Sequence, residues 1–286
     1  MSALHGDGLW LAAWRRLLAR RSQRLALGVL ALLLLAAILV PMLSPRDYAA
    51  PVWQHILEPP SLASGSLLGT DGLGRDLLVR VMWGMRVSLL VGLAASVISV
   101  LIGVSWGTTA GYVGGRTDAL MMRVVDVLYS VPFIPLVIVL SVVFGRHFLL
   151  VFAAIGAVSW LDIARIVRGQ TLAISQREFI EAARALGLPG PTLLWRHLVP
   201  NLAGIVVVYA TLTVPSVILF EALLSFLGLG VQAPLASLGS LVADGAVEMQ
   251  AHPYLLIWPA SLLAVLILCL NHLGDGLRDA LDPRHR

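Results

Sequence analysis

The sequence predicts an all-α membrane protein of six transmembrane helices, with both chain termini on the same side. Three observations predict it. Only 13% of the 286 residues are charged and 58% are hydrophobic, whereas a soluble domain carries about 25% charge. Six stretches approach the ~20 apolar residues that a membrane crossing requires. All 20 basic residues are arginine, and they gather at the ends of those stretches rather than along one stripe. The charge deficit excludes a disordered chain, an ordinary soluble enzyme and a nucleic-acid binder wrapped in basic residues.

The first stretch, residues 25–43, is uncharged and follows Arg15, Arg16, Arg20, Arg21 and Arg24. A basic front also suits a signal peptide. However, the apolar core is too long for one and Val40-Pro41-Met42-Leu43 offers no small-x-small cleavage site, so a retained helix is expected. The second stretch, 87–115, is uncharged from Arg86 to Arg116 and long enough to cross with tilt. The third, 127–145, contains Pro132 and Pro135, whose missing N–H groups break the helical ladder and hint at a pathway. The fourth begins at His147 and continues through Asp162 towards Arg165. The fifth, 198–228, contains Pro215 and one acid, Glu221. The sixth, 254–273, holds Cys269, the single cysteine of the chain. One cysteine excludes a disulfide framework or a cysteine-rich zinc site, and Cys269 reads as a small core or lipid-facing residue.

Orientation follows from arginine, which accumulates on the cytoplasmic side. With the N-terminus inside, fifteen arginines fall inside. Only five, Arg46, Arg75, Arg80, Arg86 and Arg146, fall outside. Both termini are therefore expected to be cytoplasmic. The resulting organisation is a cytoplasmic segment 1–24, a first transmembrane helix 25–43, an outer segment 44–85, a core 86–275 with five transmembrane helices, and a cytoplasmic tail 276–286.

Two connecting segments are longer than a turn requires. The outer one is rich in proline and then glycine, and its run Gly69-Thr-Asp-Gly-Leu-Gly-Arg-Asp76 reads as a turn-rich segment ordered by the charges of Arg75 and Asp76. It lacks the strand of a phosphate loop and the acidic spacing of a calcium loop. The inner one, 168–200, contains a short amphipathic helix. Ser175 with Glu178 has the capping-box pattern, Phe179, Ile180, Ala183 and Leu186 follow at helical spacing, and Gly187 and Pro189 end the run.

Chemistry of its own is not expected from the chain. With no lysine at all, a Walker A loop, a kinase strand lysine and a Schiff base are each excluded. No two of the seven histidines share an i, i+4 face, and no G-x-S-x-G turn is present. Asp126 and Asp162 are expected near helix ends, which leaves no pair of central aspartates for an intramembrane protease. Glu221 is the one acid well inside an apolar run. It is read either as part of a gate or path, the default for an ionisable group in a membrane, or as a structural group near the outer surface.

Glu181-Ala182-Ala183, Gly187 and Pro200 together resemble the E-A-A-x3-G-x9-I-x-L-P signature of permease subunits of ABC importers. His197 and Val199 stand where Ile and Leu are usual, so position 197 is not assigned the usual packing role. The run Leu68-Gly-Thr-Asp-Gly-Leu-Gly-Arg-Asp-Leu-Leu78 and Phe226-Leu-Gly-Leu-Gly230 resemble the peptide/nickel permease group. Segments 159–170, 177–183 and 274–283 resemble its oligopeptide (OppC-type) branch, and the likeness covers roughly residues 12–286.

The resemblance implies a type I ABC importer permease of MetI-like fold, with the first helix added peripherally to a five-helix core in a bacterial inner membrane. It implies an OppB-like second permease, two ATP-binding subunits (OppD/OppF-like) carrying ATP and Mg, and an extracytoplasmic OppA-like peptide-binding protein. This chain itself would bind no cofactor or metal and would not be an enzyme. Glu181, Ala182, Ala183, Gly187 and Pro200 would couple it to an ATPase, with small alanines allowing close approach, and the substrate would be an oligopeptide. Sister members handle dipeptides, glutathione, antimicrobial peptides or nickel. Ser96, Ser99, Ser105, Thr108 and Thr109 in the second stretch suit either a tolerant path or tight helix packing. The rival classes are a stand-alone secondary transporter, which needs ionisable residues at helix centres, and a scaffolding subunit, for which a coupling loop has no use.

Overall fold

In a bilayer the backbone has no water to bond, so long apolar runs close their own hydrogen bonds as helices. The computed structural model describes residues 6–62, 65–145 and 148–281, with side chains described from residue 11 and, after the second gap, from residue 155. Regular structure among the described residues is helical apart from two isolated β-bridges. Arg146, Arg284 and Arg286, used above for orientation, lie outside the described residues.

The chain opens with α1 (Gly6–Ala19) and α2 (Arg21–Leu43). Pro41 lies inside α2 and has no N–H to offer the carbonyl of Ala37, four residues back. Arg86 fills that vacancy from another element. Its Nε donates to the Ala37 carbonyl and its Nη2 to the Ile38 carbonyl at 2.5 Å.

Segment 44–76 folds back on itself through backbone bonds from Val52 to Leu73, Leu57 to Asp71 and Thr70 to Glu58. Gly74 is required there. Its φ is +74°, and a Cβ at that position would lie 1.9 Å from the Val52 carbonyl oxygen. Asp76 ends the segment and caps α3 (Leu77–Val113), its side chain accepting from the Val79 N–H at 3.1 Å. Thus α3 starts ten residues before the uncharged run, because the arginines on its first turns find acceptors inside the protein.

Next come α4 (Gly115–Ser130) and α5 (Phe133–Phe144), bent by 77° at the Val131-Pro132 break. The stretch expected as the third span is therefore bent at Pro132, while Pro135 is accommodated in the first turn of α5. α6 (Phe148–Ser175) and α7 (Glu178–Ala185) follow. A turn at Gly190–Thr192 and a π-helical stretch, Leu193–Leu198, lead into α8 (Val199–Phe226). α9 (Leu238–Val247) and α10 (Tyr254–Leu281) complete the fold.

Contacts place the helix ends. At one end Arg20 pairs with Asp279 at 2.6 Å and the Gln23 amide donates to the His272 carbonyl, so the start of α2 lies beside the end of α10. At the other, the Tyr254 hydroxyl donates to the Thr70 carbonyl. α6 runs parallel to α3 along its length, with Gly103 against Ile163, Gly107 against Ala164 and Gly111 against Thr171. Four helices among the described residues are long and apolar enough to cross a membrane, and the bent pair makes five. With α6 running end to end beside α3, the fold is consistent with the six spans expected.

Candidate functional site

The short helix α7 stands at the end where α2 begins and α10 finishes, just beyond α6. Its cap differs from the expected one. Ser175 is the last residue of α6, with its hydroxyl buried and unbonded, and Arg177 caps α7 without a side-chain bond. α6 runs up to the residue that carries the capping signal and buries its hydroxyl. The other end matches its signal. Leu188 N–H bonds to the Ala183 carbonyl and Gly187 N–H to the Arg184 carbonyl, the two bonds of a Schellman termination. Gly187 has φ +77° and open space around it, so it is there for its backbone conformation and not to make room.

Burial divides α7 into two faces. Ile180 is 0% and Ala183 8% exposed, packed among Val104, Val167, Leu193 and Leu202 of α3, α6 and the entry to α8. Glu178, Phe179, Glu181, Ala182 and Leu186 are exposed. Of the two alanines expected at a partner, Ala182 faces out and Ala183 holds the helix to its own chain. Arg184 lies 5.4 Å from the ring centre of Tyr112 at the end of α3. Pro200 is not on α7. It sits at the start of α8, directly after the π-helical stretch, where Val199 N–H already reaches back to the Leu194 carbonyl. The wide turn shifts the bonding register just before a residue that has no N–H to give.

Glu221 is fully buried at the opposite end of α8. Its carboxylate accepts from Ser225 Oγ at 2.7 Å and Ser88 Oγ at 3.2 Å. Ser88 Oγ in turn accepts from the Leu238 N–H at the start of α9, whose cap is Ser237, itself 3.4 Å from Ser225. One carboxylate therefore joins α3, α8 and α9. These serines carried no sequence signal, because Ser88 and Glu221 are 133 positions apart. Replacing Glu221 with leucine should strand the two serine hydroxyls in the core at about 1–3 kcal/mol each, while glutamine should keep most of the stability. Equal thermal midpoints for the leucine variant and wild type in detergent would refute that junction.

Beside α9 a second polar cluster ties segment 44–76 to the core. Asp71 accepts from Arg75 Nε at 2.8 Å, with Arg80 Nε 3.1 Å from the same carboxylate. Asp244 of α9 borders the same cavity of about 370 Å³. Burial pushes its carboxyl above the usual aspartate range, against the pull of Arg80 and Arg75. Among the described residues no group of three or more potential ligands could hold a metal. In the second stretch, Ser96 donates to the Ala210 carbonyl, and Thr108 and Thr109 bond within their own helix, which is packing chemistry.

Comparison with known proteins gives the family. Residues 99–286 match the family described as the binding-protein-dependent transport system inner membrane component. Residues 8–60 match the N-terminal TM domain of oligopeptide transport permease C. The chain is 51% identical over 283 residues to the oligopeptide transport system permease protein OppC of Escherichia coli, covering 99% of this chain and 94% of that one. It is 47% identical to the protein of the same name from Haemophilus influenzae, covering 99% and 91%. Its fold is similar to a chain of an inward-facing MetNI methionine ABC transporter. That match has a TM-score of 0.57 and 21% identity and covers 71% of this chain and 96% of that one.

Proposed function

Since the chain belongs to the family of binding-protein-dependent transport system inner membrane components, in its oligopeptide permease branch, we propose that it forms half of an import path for oligopeptides. A homologous, OppB-like permease would form the other half. The chain is a non-catalytic membrane subunit of an ABC transporter. Two OppD/OppF-like ATPases would supply ATP hydrolysis and an OppA-like binding protein would deliver peptide. The membrane is then the bacterial inner membrane, with both termini, the Arg20–Asp279 contact and α7 on the cytoplasmic side.

The observation that carries the coupling role is the division of α7 into two faces. Glu181, Ala182 and the exposed Phe179 and Leu186 offer a charge, a close approach and two apolar contacts to an ATPase groove. Ile180 and Ala183 root the helix in the ends of α3, α6 and the entry to α8. Gly187 stops the helix so that it moves as one short body, and Pro200 with its π-helical turn sets how that body joins α8. ATP binding closes the ATPase pair and displaces α7, and the helices rooted on it open the path outward. Hydrolysis resets it. This is a two-state element biased by ligand binding elsewhere. Glu221 would act at the outer gate, since the junction it holds must move as a unit when the path opens.

The test is the complex reconstituted with its binding protein. Gly187→Val and Glu181→Lys should leave the chain in the membrane and ATP hydrolysis present. Peptide uptake should fall by about tenfold or more, the scale of a lost coupling free energy. Undiminished uptake in both variants would sink the assignment. Stimulation of hydrolysis by peptides longer than two residues is the expected substrate response. A response confined to dipeptides or nickel would move the chain to a sister transporter with the same coupling.

A further inference from the structure

Two cavities lie along one face of α6 and α8, the second of them reaching Arg177 at the start of α7. The first, about 400 Å³, opens where the α4–α5 break meets α6 and α8, and Tyr129, Ser159, Asp162, Thr213 and Ser216 are among its walls. The second, about 450 Å³, lies nearer the termini, between α6, α8 and α10. Gln170, Arg177, Asn201 and Arg278 line it. Tyr209 borders both. Ser159, Asp162, Ile166, Gln170 and Ala173 of α6 follow one another at three- and four-residue spacing, hence on one face. The cavities are two compartments of a single groove.

The compartments carry opposite charge. Asp162 is exposed at the middle of the 28-residue α6, not near a helix end as its place in the sequence suggested, and one of its oxygens accepts from the Tyr129 hydroxyl. Its charged neighbours cancel, because Arg165 pairs with Asp126 at 2.6 Å and lies over the Tyr129 ring. That leaves one net negative charge. The second compartment has Arg177 and Arg278, no acid among its lining residues, and no ion pair to either arginine among the described residues. A charge at the depth of Asp162, midway along α6, is costly and persists where it lines a path, whereas Arg177 and Arg278 stand at the end of the groove near the Arg20–Asp279 contact.

A free peptide has the complementary pattern: an ammonium at one end, a carboxylate at the other, and a main chain common to all sequences. We infer that the α6–α8 groove reads the two ends of the peptide, Asp162 facing the α-ammonium and Arg177 with Arg278 facing the α-carboxylate, so that passage is carboxylate end first. This rests on the reading of the chain as a peptide permease. From Asp162 to the end of α6 at Ser175, two residues short of Arg177, the helix path is about 20 Å at ~1.5 Å per residue. An extended peptide covers that with about six or seven residues. A hexapeptide engages both ends at once, and a dipeptide only one. The second permease closes the open side of the groove.

The test is uptake by the full complex in liposomes of one labelled hexapeptide in free, N-acetylated and C-amidated forms. Because the binding protein also chooses among peptides, the readout is how the preference changes in variants. Wild type should prefer the free peptide over the acetylated one. Asp162→Asn should reduce that preference by about tenfold, the scale of a lost charge-assisted hydrogen bond, while leaving the preference over the amidated form. Arg177→Gln with Arg278→Gln should do the reverse. Unchanged preferences in transporting variants would overturn the inference, and would leave the arginines as a site for another anion such as a lipid phosphate. If wild type responds to no peptide at all, the permease reading fails first.

A second measurement covers variants that do not assemble. Gln170→Cys adds an exposed thiol midway along the groove, and the native Cys269 is buried. Labelling of this thiol should fall several-fold during turnover with the free hexapeptide and stay unchanged with the doubly blocked one. Labelling indifferent to peptide would likewise overturn the inference.

Discussion

Gly107→Leu is expected to abolish accumulation of folded protein. Gly103, Gly107 and Gly111 form a stripe at four-residue spacing on α3, and α6 lies directly on it. A Cβ at Gly107 would sit 2.4 Å from the Ala164 carbonyl oxygen and 3.0 Å from the Arg168 nitrogen. At Gly103 it would lie 2.7 Å from Ile163 Cβ, and at Gly111 2.8 Å from the Arg168 carbonyl oxygen. The obstacles at Gly107 are mainly backbone, so no rotamer change relieves them. α6 would have to move outward, taking the Arg168–Asp118 ion pair and Thr171 with it. Overpacking of a core by ordinary side chains costs about 1–3 kcal/mol, and backbone obstruction on the longest contact of the molecule exceeds that. Small residues at such crossings are how membrane helices gain close van der Waals contact. Gly28→Ala on α2, where a Cβ meets nothing within 4 Å, is the control. The check is size-exclusion elution of detergent-extracted protein. A wild-type profile for Gly107→Leu would show that α3 and α6 do not meet through this stripe.

Asp71→Leu is expected to lower the thermal midpoint by about 10 °C. Asp71 is the counter-charge to two arginines with 9% and 3% of their side chains exposed, Arg75 and Arg80. It holds Arg75 by a directed bond and also accepts from the Leu73 and Arg75 backbone N–H groups. Arg80 Nε lies within ion-pair distance but makes no well-aligned bond there, while its Nη1 donates to the Tyr48 carbonyl. Leucine would leave the two buried cations without their directly bonded acid, with Asp244 across the cavity as the remaining nearby carboxyl. Breaking a buried pair on one side costs about 3–5 kcal/mol, which gives the shift stated at the usual entropy of unfolding for a chain this size. Replacing Arg75 and Arg80 with leucine as well should restore part of the loss, because apolar replacement of a whole buried ionic group is often neutral. Detergent thermal unfolding read alongside proteolysis of segment 44–76 checks both. A variant as stable as wild type would mean that Asp71 is not the counter-charge.

How far these features were legible depends on whether their causes are local. The end of α7 was readable because Gly187 at positive φ is a local requirement. The break at Val131-Pro132 followed from proline, although a bend of 77° did not. Ser175 misled, since the capping pattern was present but the residue closes α6 with its hydroxyl buried instead of opening α7. The outward face of Ala182 and the inward face of Ala183 depend on what lies under α7, which no spacing in α7 contains. Glu221 was singled out for its position, while its partners Ser88 and Ser225 became meaningful only when α3 was brought against α8. Asp162 was placed near a helix end because the uncharged run stops at Leu161. The helix itself continues to Ser175, which puts the acid at its middle. The glycine stripe was written in the sequence at regular spacing, but the polar residues between its members attracted the reading.

The contact of Arg86 with α2 has a consequence for how the first span can change. Arg86 grips main-chain oxygens, Ala37 and Ile38, one of which Pro41 leaves vacant. A clasp of this kind makes almost no demand on side chains. The outer half of α2 is therefore free to drift in composition, exchanging one lipid-facing residue for another, while Pro41 in the last turn of α2 and Arg86 in the third turn of α3 hold the joint. An insertion of one residue between Ala37 and Pro41 would change no hydropathy, yet it would turn the vacant oxygen about 100° away around the helix. The appended helix is tied to the core by register rather than by identity.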